Sequence, residues 1–238
     1  MNARAPRPPV HFICSDPSIL GGTFTIMEHL PGESLVSYNR NIPEILAQAT
    51  LDLHQIDPVP IRQSLLSAGI EEKLFTGLGE REDYIHSHDL HWLKPALRWI
   101  HENRPKEEDA ICHCDIHAGN ILVENGEISG VFDWESFKID DPCRDYGSTF
   151  ILYSVLIPSA RPERTREYAS RLEKYLDLVR SQRHLDSWKL EYYQAVRCLW
   201  VMVAPAGRAD LARSVGILDA VIERFKQITG IEVKPKES

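Results

Sequence analysis

The chain opens with two short stretches in which apolar and polar residues alternate, a pattern typical of β-strands. The first is Val10–Cys14 and the second is Thr23–Glu28. Turn-forming residues at 15–18 and the pair Gly21-Gly22 separate them. Pro31-Gly32 then interrupts the pattern, so the front of the chain is predicted to hold two strands followed by a break.

Apolar residues at helical spacing follow between about residues 41 and 56. Asn41 is predicted to cap this helix, because a proline and a glutamate come directly after it in the first turn. Residues 57–88 are interrupted by glycine and proline and are predicted to form short helices and loops. A further helix is predicted over Asp89–Asn103, where Pro95 must either kink the helix or lie in its first turn.

A hairpin is predicted in the middle of the chain. Ala110–His113 has the pattern of a short strand that enters a loop. Beyond it, Ile121–Val123 and Ile128–Phe132 flank Asn125-Gly126. This dipeptide favours a two-residue turn because both of its positions accept a positive φ.

The second half of the chain is predicted to be helical. Three apolar stripes at helical spacing are most simply faces that pack into a core. They are Tyr168, Leu172, Tyr175, Leu176 and Val179; then Trp188, Tyr192, Ala195, Leu199 and Met202; then Leu211, Val215, Leu218, Ile222 and Phe225.

Composition narrows the class of protein. The chain has 238 residues with 43% hydrophobic and 26% charged content, which is ordinary for a globular protein. The net charge of -8 disfavours a nucleic-acid partner, since phosphate contacts require clustered lysine and arginine. The apolar runs are too short to span a bilayer, and the N-terminus lacks the apolar segment of a secretory signal. A cytoplasmic protein with no membrane partner is expected, and its five cysteines are expected to be reduced.

Three oxygen-bearing side chains stand in a fixed order around the predicted hairpin. Asp115 and Asn120 lie five residues apart before it, and Asp133 follows its second strand. ATP-dependent kinases build a base and a magnesium site from a loop Asp, a loop Asn and a later strand-end Asp in this order. We therefore predict Asp115 as the base that accepts a hydroxyl proton. Asn120 and Asp133 are the predicted Mg²⁺ ligands.

Each of these residues, taken alone, also fits a simpler interpretation. Asp115 and Asn120 are common turn residues, and Asp133 could cap a helix. The ordered set with a hairpin between its members favours the site. A metal-dependent hydrolase that uses Asp115, Asp133 and His117 is a further alternative, and it predicts phosphate release from simple esters without ATP.

These residues carry a family resemblance. His113–Asn120 resembles the catalytic loop of the aminoglycoside phosphotransferase and choline kinase-like superfamily, whose usual form is H-G-D-x-H-x-x-N. Val131–Glu135 resembles its metal-binding I-D-W-E segment, and Asp141–Asp145 resembles the D-P-x-x-D that follows. Thr23–Gly32 is similar to the V-M-E-x-x-x-G hinge between the two kinase lobes.

The resemblance implies an α+β, protein kinase-like fold. Most of it would be the helical C-lobe with a catalytic-loop hairpin, and only a remnant of the N-lobe sheet would remain. Residues 1–30 would form that remnant and the hinge, and residues 31–238 the C-lobe. The implied activity is ATP-dependent phosphotransfer to a small-molecule hydroxyl, with ATP and Mg²⁺ as cofactors. An aminoglycoside, another amino-alcohol or sugar, or a hydroxyacyl thioester would each be a compatible acceptor.

The resemblance also implies roles for further residues. The hinge residues expected to meet the adenine are Met27, Glu28 and Leu30. His113 would brace the catalytic loop from inside, and Asp145 would accept hydrogen bonds from the loop backbone. His117 would lie near the acceptor, where catalysis and loop packing are both open to it.

The front of the chain departs from the family pattern. No lysine occurs before Lys73, and Gly21-Gly22 lies too close to the hinge to cover a nucleotide. The phosphate-binding lysine and the glycine-rich loop of the family are therefore missing. Three explanations compete. The chain is a truncated gene product or has a misassigned start, it is a short form with crippled transfer activity, or another chain supplies the missing lobe.

This departure leaves a second function open. The chain could be a catalytically crippled kinase homologue that acts as a binding protein or is inactive alone. Removing an upper lobe exposes apolar surface, so self-association through the exposed lobe interface is expected.

Overall fold

The computed structural model describes residues 9–71, 78–106, 108–203 and 216–235. The described strands are β1 (Val10–Cys14), β2 (Phe24–Met27), β3 (Glu33–Ser34), β4 (Ala110–Cys112), β5 (Ile121–Glu124), β6 (Glu127–Val131) and β7 (Lys138–Asp140). The helices before β4 are α1 (Pro17–Leu20), α2 (Leu35–Tyr38), α3 (Ile42–His54), α4 (Val59–Ser67), α5 (Leu78–Ser87) and α6 (Lys94–Glu102). Those after β7 are α7 (Cys143–Ile151), α8 (Ile157–Ala160), α9 (Thr165–Gln182), α10 (Ser187–Met202) and α11 (Ile217–Thr229).

The two strands predicted at the front are confirmed. β1 and β2 pair antiparallel, with Cys14 opposite Phe24, and β2 is one residue shorter at each end than predicted. The turn between them holds the short helix α1, whose first turn is capped by the Asp16 side chain through the Ser18 amide at 2.8 Å. The hairpin is largely exposed and packs little apolar surface against the rest of the molecule.

Helix α3 forms where its apolar spacing predicts, but the predicted cap is wrong. Asn41 precedes the helix with φ 49° and makes no side-chain capping bond. A capping side chain requires an extended backbone, and Asn41 is left-handed instead. Over the region predicted from Asp89, a 3₁₀ turn at His91–Leu93 precedes α6, and Pro95 lies in the first turn of that helix.

The central hairpin is confirmed. β5 and β6 pair antiparallel, with Ile121 opposite Val131. The turn residues Asn125 and Gly126 have φ values of 54° and 88°, as the two-residue turn requires. β3 adds a third strand beside β5, and β4 pairs with β7 in a separate two-stranded sheet. These small sheets hold the loop between β4 and β5 from both sides.

The predicted stripes form the core of the helical half. On α9, Leu172, Tyr175, Leu176 and Val179 are buried, and on α11, Leu218 and Phe225 are buried. Leu211 and Val215 of the third stripe lie outside the described residues. Trp188 is predicted to lie on a core-facing stripe, but it is 42% exposed at the start of α10.

Helices α7 and α10 approach closely at Gly147. A Cβ at this position would lie 2.7 Å from the backbone carbonyl carbon of Tyr193. Only glycine allows this approach. It brings α10 against the segment that carries the predicted site.

Within the described segments, no helix combines the length and apolar character that crossing a membrane would require.

Candidate active site

The loop between β4 and β5 is fixed by a buried carboxylate. Asp145, in the first turn of α7, accepts the amides of His113 at 3.1 Å and of Cys114 at 2.6 Å. Burial alone would raise the pKa of Asp145, but hydrogen bonding and charge from His54, together with the loop amides, hold that pKa below its ordinary value. The carboxylate is therefore ionised, and it accepts its hydrogen bonds from the loop backbone.

His54 completes this arrangement, and sequence reasoning missed it. Its Nε2 lies 2.9 Å from Asp145 Oδ2, and its Nδ1 lies 3.1 Å from the Tyr146 hydroxyl. The His54 side chain is 1% exposed at the last turn of α3. With Nε2 donating to the carboxylate, Nδ1 accepts from the hydroxyl, so one tautomer satisfies both contacts. His54 ties α3 to the base of the loop.

His113 links the loop to the end of β6. It is fully buried, its Nε2 lies 2.9 Å from the Phe132 carbonyl, and its Nδ1 accepts the Asp115 amide at 3.3 Å. The ring also packs 4.7 Å from the Trp134 ring, centroid to centroid. These contacts tie the loop to the residues that follow β6.

Asn120 is hydrogen-bonded to the backbone of Asp115. Its side chain is buried, and its Nδ2 donates to the Asp115 carbonyl at 3.0 Å. Because the amide nitrogen is engaged, Oδ1 is the atom that can face a cation. The Asn120 carbonyl in turn accepts the Phe132 amide at 3.1 Å.

Asp133 directly follows Phe132, a residue bonded to the loop on both sides of its peptide. Phe132 bonds through its amide to Asn120 and through its carbonyl to His113. Asp133 itself is exposed, has φ 67° and makes no capping bond to the 3₁₀ turn at Trp134–Ser136. The helix-cap interpretation is therefore not observed, and the left-handed backbone costs about 1–2 kcal/mol in a non-glycine residue. Such conformations persist where the surroundings fix them, commonly at functional sites.

His117 faces the predicted base. Its Nε2 lies 3.8 Å from Asp115 Oδ2, and its Nδ1 accepts the Gly119 amide at 2.9 Å. Burial lowers the pKa of His117, although the Asp115 charge opposes the shift. The imidazole is therefore neutral at pH 7, and its ring is held by the loop itself.

Arg197 is the second residue that sequence reasoning missed. From α10 it donates through Nη2 to Asp115 Oδ1 at 2.8 Å and through Nη1 to the Cys114 carbonyl at 3.3 Å. Oδ1 of the predicted base is thereby oriented, and Oδ2 is turned toward His117. The spacing of 82 residues between the partners leaves no local pattern that could reveal the pair.

The segment that carries the predicted hinge residues contacts the central hairpin of β5 and β6. The Glu28 amide donates to the Pro9 carbonyl at 2.9 Å, so an adenine contact at Glu28 would have to use its carbonyl. Leu30 packs over Gly130, where a Cβ would lie 2.2 Å from the leucine side chain. The Ser129 hydroxyl then holds the Pro31 carbonyl at 2.6 Å. The segment after Met27 is thus attached to β6.

A different trio has metal-like spacing. In the described part of the chain, His54, Cys112 and Asp145 have ligand atoms within 4.8 Å of one another, whereas Asp115, His117 and Asp133 do not form such a group. Burial raises the pKa of the Cys112 thiol well above its ordinary value, and Asp145 is already saturated by amides. This trio is therefore a structural contact between α3, β4 and α7.

Comparison with known proteins identifies a family and its relatives. A sequence model of the phosphotransferase enzyme family matches residues 1–184. Mouse (Mus musculus) acyl-CoA dehydrogenase family member 10 is 24% identical over 189 residues, which cover 68% of this chain and 16% of that protein. The chain therefore corresponds to a small part of this curated relative.

Solved structures show the fold. A thermostable mutant of aminoglycoside phosphotransferase APH(4)-Ia, in its apo form, superposes with a TM-score of 0.66 at 17% identity, covering 97% of this chain and 80% of the other. A ternary complex of such a mutant with AMP-PNP and hygromycin B gives 0.62 at 17% identity, covering 94% and 78%. The predicted α+β, protein kinase-like fold with a small sheet remnant is confirmed.

Proposed function

Because the chain belongs to the phosphotransferase enzyme family, we propose that it transfers the γ-phosphoryl group of ATP to a hydroxyl of a small molecule. The observation that supports this most is the hydrogen bonding of Phe132, the residue before Asp133, to Asn120 and His113, together with the bond from Asn120 to the Asp115 carbonyl. With Asp133 beside them, Asp115 and Asn120 would supply a base and two oxygen ligands on one loop and hairpin.

The proposed residues have two roles: one accepts a proton, and the others bind the metal ion. Asp115 Oδ2 would accept the proton of the attacking hydroxyl, while Arg197 keeps the other oxygen oriented. Asn120 Oδ1 and the Asp133 carboxylate are hard oxygen donors of the kind Mg²⁺ prefers, and they would hold that ion. Bound Mg²⁺ would offset the negative charge of the phosphates.

The proposal also identifies ATP as the phosphoryl donor. The similar ternary complex contains AMP-PNP, and the segment Met27–Leu30 lies beside the hairpin, where an adenine ring would meet it. A cytoplasmic location belongs to the same proposal. The net charge of -8 supports the absence of a nucleic-acid partner.

One observation favours a second function. No lysine precedes Lys73 in the given sequence, whereas the family resemblance implies a lysine ahead of the hinge for the nucleotide phosphates. A kinase homologue that keeps the loop but cannot hold phosphates would act as a binding protein or be inactive alone. The domain division at residues 30 and 31 stays a prediction under either function.

Calorimetric titration of Mg-ATP separates the two functions. The enzyme predicts measurable affinity that falls at least about tenfold in Asp133→Ala, because a metal ligand is lost. Glu127→Ala is the matched control, since it removes an exposed carboxylate from the same hairpin without approaching the loop. Absence of binding by the unaltered chain at millimolar nucleotide would support the remnant instead.

A transfer assay tests the chemistry itself. With γ-labelled ATP and a panel of hydroxyl compounds, the intact chain is expected to label an acceptor, and Asp115→Asn is expected to lose at least about a hundredfold in rate. Equal labelling by Asp115→Asn would remove this residue from the reaction.

A further inference from the structure

A cleft of about 240 Å³ opens directly beside the catalytic loop. His117 and Gly119 line one wall, and Asn39, which ends α2, lies on another. A further wall is formed by Arg164, which precedes α9, and by Tyr168 and Arg171 on that helix. His117 is also the residue whose Nε2 lies 3.8 Å from Asp115 Oδ2. A molecule in this cleft would therefore lie next to the predicted base.

Two guanidinium groups face this cleft and share one carboxylate. Arg164 donates to both oxygens of Glu167, at 2.9 Å from Nε and 2.7 Å from Nη2. Arg171 reaches the same Glu167 at 2.7 Å and the Asn39 side-chain oxygen at 3.3 Å. These three side chains together carry a net charge of +1, and Glu167 itself does not line the cleft. Among the described residues that line the cleft, none is acidic.

An aromatic ring holds both guanidinium groups in place. The guanidinium carbon of Arg164 lies 4.8 Å from the Tyr168 ring centroid, and that of Arg171 lies 5.3 Å from it. Tyr168 itself packs against Tyr153, with the ring centroids 5.1 Å apart. The two cations are therefore oriented before any ligand arrives, which reduces the entropy that binding would cost.

We infer that this cleft binds the acidic end of the acceptor, so that the substrate is a hydroxyl compound bearing a carboxylate or a phosphate group. Planar guanidinium groups match the two oxygens of such anions with paired hydrogen bonds. A cationic acceptor would instead meet two like charges and no acidic partner in the cleft wall. The inference rests on the proposed phosphotransfer for the word acceptor, but binding of the anion does not require ATP.

Calorimetric titration of the full chain without nucleotide tests the inference. The probes are similar in size and differ in charge: 3-hydroxybutyrate, glycerol 3-phosphate, 1,3-butanediol and 3-amino-1-propanol. At least one of the two anions is expected to bind about tenfold or more tightly than the neutral and cationic compounds. Comparison of the two anions identifies carboxylate or phosphate as the preferred group.

Three variants give expected changes of different sign. Arg171→Gln and Arg164→Gln are each expected to weaken anion binding about tenfold, since one charged donor is lost. Glu167→Gln is expected to strengthen it several-fold, because the competing carboxylate is removed and the net charge rises. Arg166→Gln is the control, since Arg166 is exposed on the same helix and does not line the cleft.

The outcomes separate this inference from the proposed function. Tighter binding of the amine than of both anions, or no binding of either anion at millimolar concentration, overturns the inference. So does anion binding that Glu167→Gln weakens. Labelling of neutral or cationic compounds in the transfer assay, with no preference for anions, would sustain phosphotransfer and reject the acidic acceptor. Anion binding at this cleft without any transfer would support the anion site and reject phosphotransfer.

Discussion

Asp145 holds the loop between β4 and β5 through its buried carboxylate. It is fully buried and accepts two loop amides and the His54 ring. Asp145→Asn keeps the size of the side chain, but its NH₂ group would face donors. We expect a loss of about 3–5 kcal/mol in unfolding free energy at pH 7, measured by urea denaturation. Asp177→Asn, at an exposed position of α9, is the control and should stay within about 0.5 kcal/mol.

The same carboxylate predicts a pH dependence. Its folded pKa lies below the ordinary value of 3.8, so it stabilises the fold fully above that value. This contribution is lost as the pH falls from 3.8 through the lower folded pKa. The difference between the unaltered chain and Asp145→Asn should therefore shrink in that range. A difference that stays constant down to the acid transition would contradict the assignment of charge to Asp145.

Arg197 tests the orientation of the predicted base. Arg197→Gln removes the charged contact to Asp115 Oδ1 but keeps a polar side chain on α10. We expect the turnover number of the transfer reaction to fall about tenfold to a hundredfold, with the KM for Mg-ATP unchanged. Arg180→Gln, exposed on α9, should leave both constants unchanged. A raised KM without a change in turnover would assign Arg197 to binding rather than to positioning.

At the residue scale, sequence reasoning reached the members of the loop and missed their partners. Asp115, Asn120 and Asp133 stand close together along the chain, and their spacing alone suggested a site. His54 lies 91 residues from its partner Asp145, and Arg197 lies 82 residues from Asp115. Both sit on helices whose sequence pattern shows only the apolar face. A polar residue on the flank of such a helix gives no local sign of what it contacts.

At the element scale, local chemistry predicted turns better than caps. Asn125-Gly126 gives the hairpin because both positions need a positive φ, and the structure has both. Asn41 has the composition of a cap but takes a left-handed backbone instead. Asn favours both states, so sequence alone cannot choose between them. α4 and α5 agree with the short helices predicted over residues 57–88, and the buried Ile85 packs α5 into the core.

The contact of α7 with α10 is the element-scale feature most open to test. Gly147→Ala places a methyl group 2.7 Å from the Tyr193 backbone, which cannot yield as a side chain would. We expect a loss of about 1–3 kcal/mol in unfolding free energy. Gly79→Ala in α5 meets open space and should gain up to about 1 kcal/mol. Opposite signs in thermal denaturation support the close approach, and a neutral Gly147→Ala would contradict it.

At the scale of the whole molecule, the front hairpin carries the most exposed of the large apolar side chains among the residues that the structure describes. Ile13 is 65% exposed and Leu20 is 70% exposed, on β1 and α1. Such an apolar surface favours burial against another molecule. We expect sedimentation velocity to show self-association that increases with concentration, and the double variant Ile13→Lys, Leu20→Lys to reduce it. Leu66→Lys on α4 is the control, and a monodisperse monomer of the unaltered chain would count against this surface.

The account depends on one cation lying between Asn120 and Asp133. Electron paramagnetic resonance titration of Mn²⁺ in the presence of AMP-PNP measures this directly, using the single variants Asn120→Ala and Asp133→Ala and their combination. We expect each single variant to weaken Mn²⁺ binding about tenfold or more, and the double variant to depart from additivity by about 0.5 kcal/mol or more, because the two ligands share an ion. Additive effects, or no loss in either single variant, would contradict a shared site.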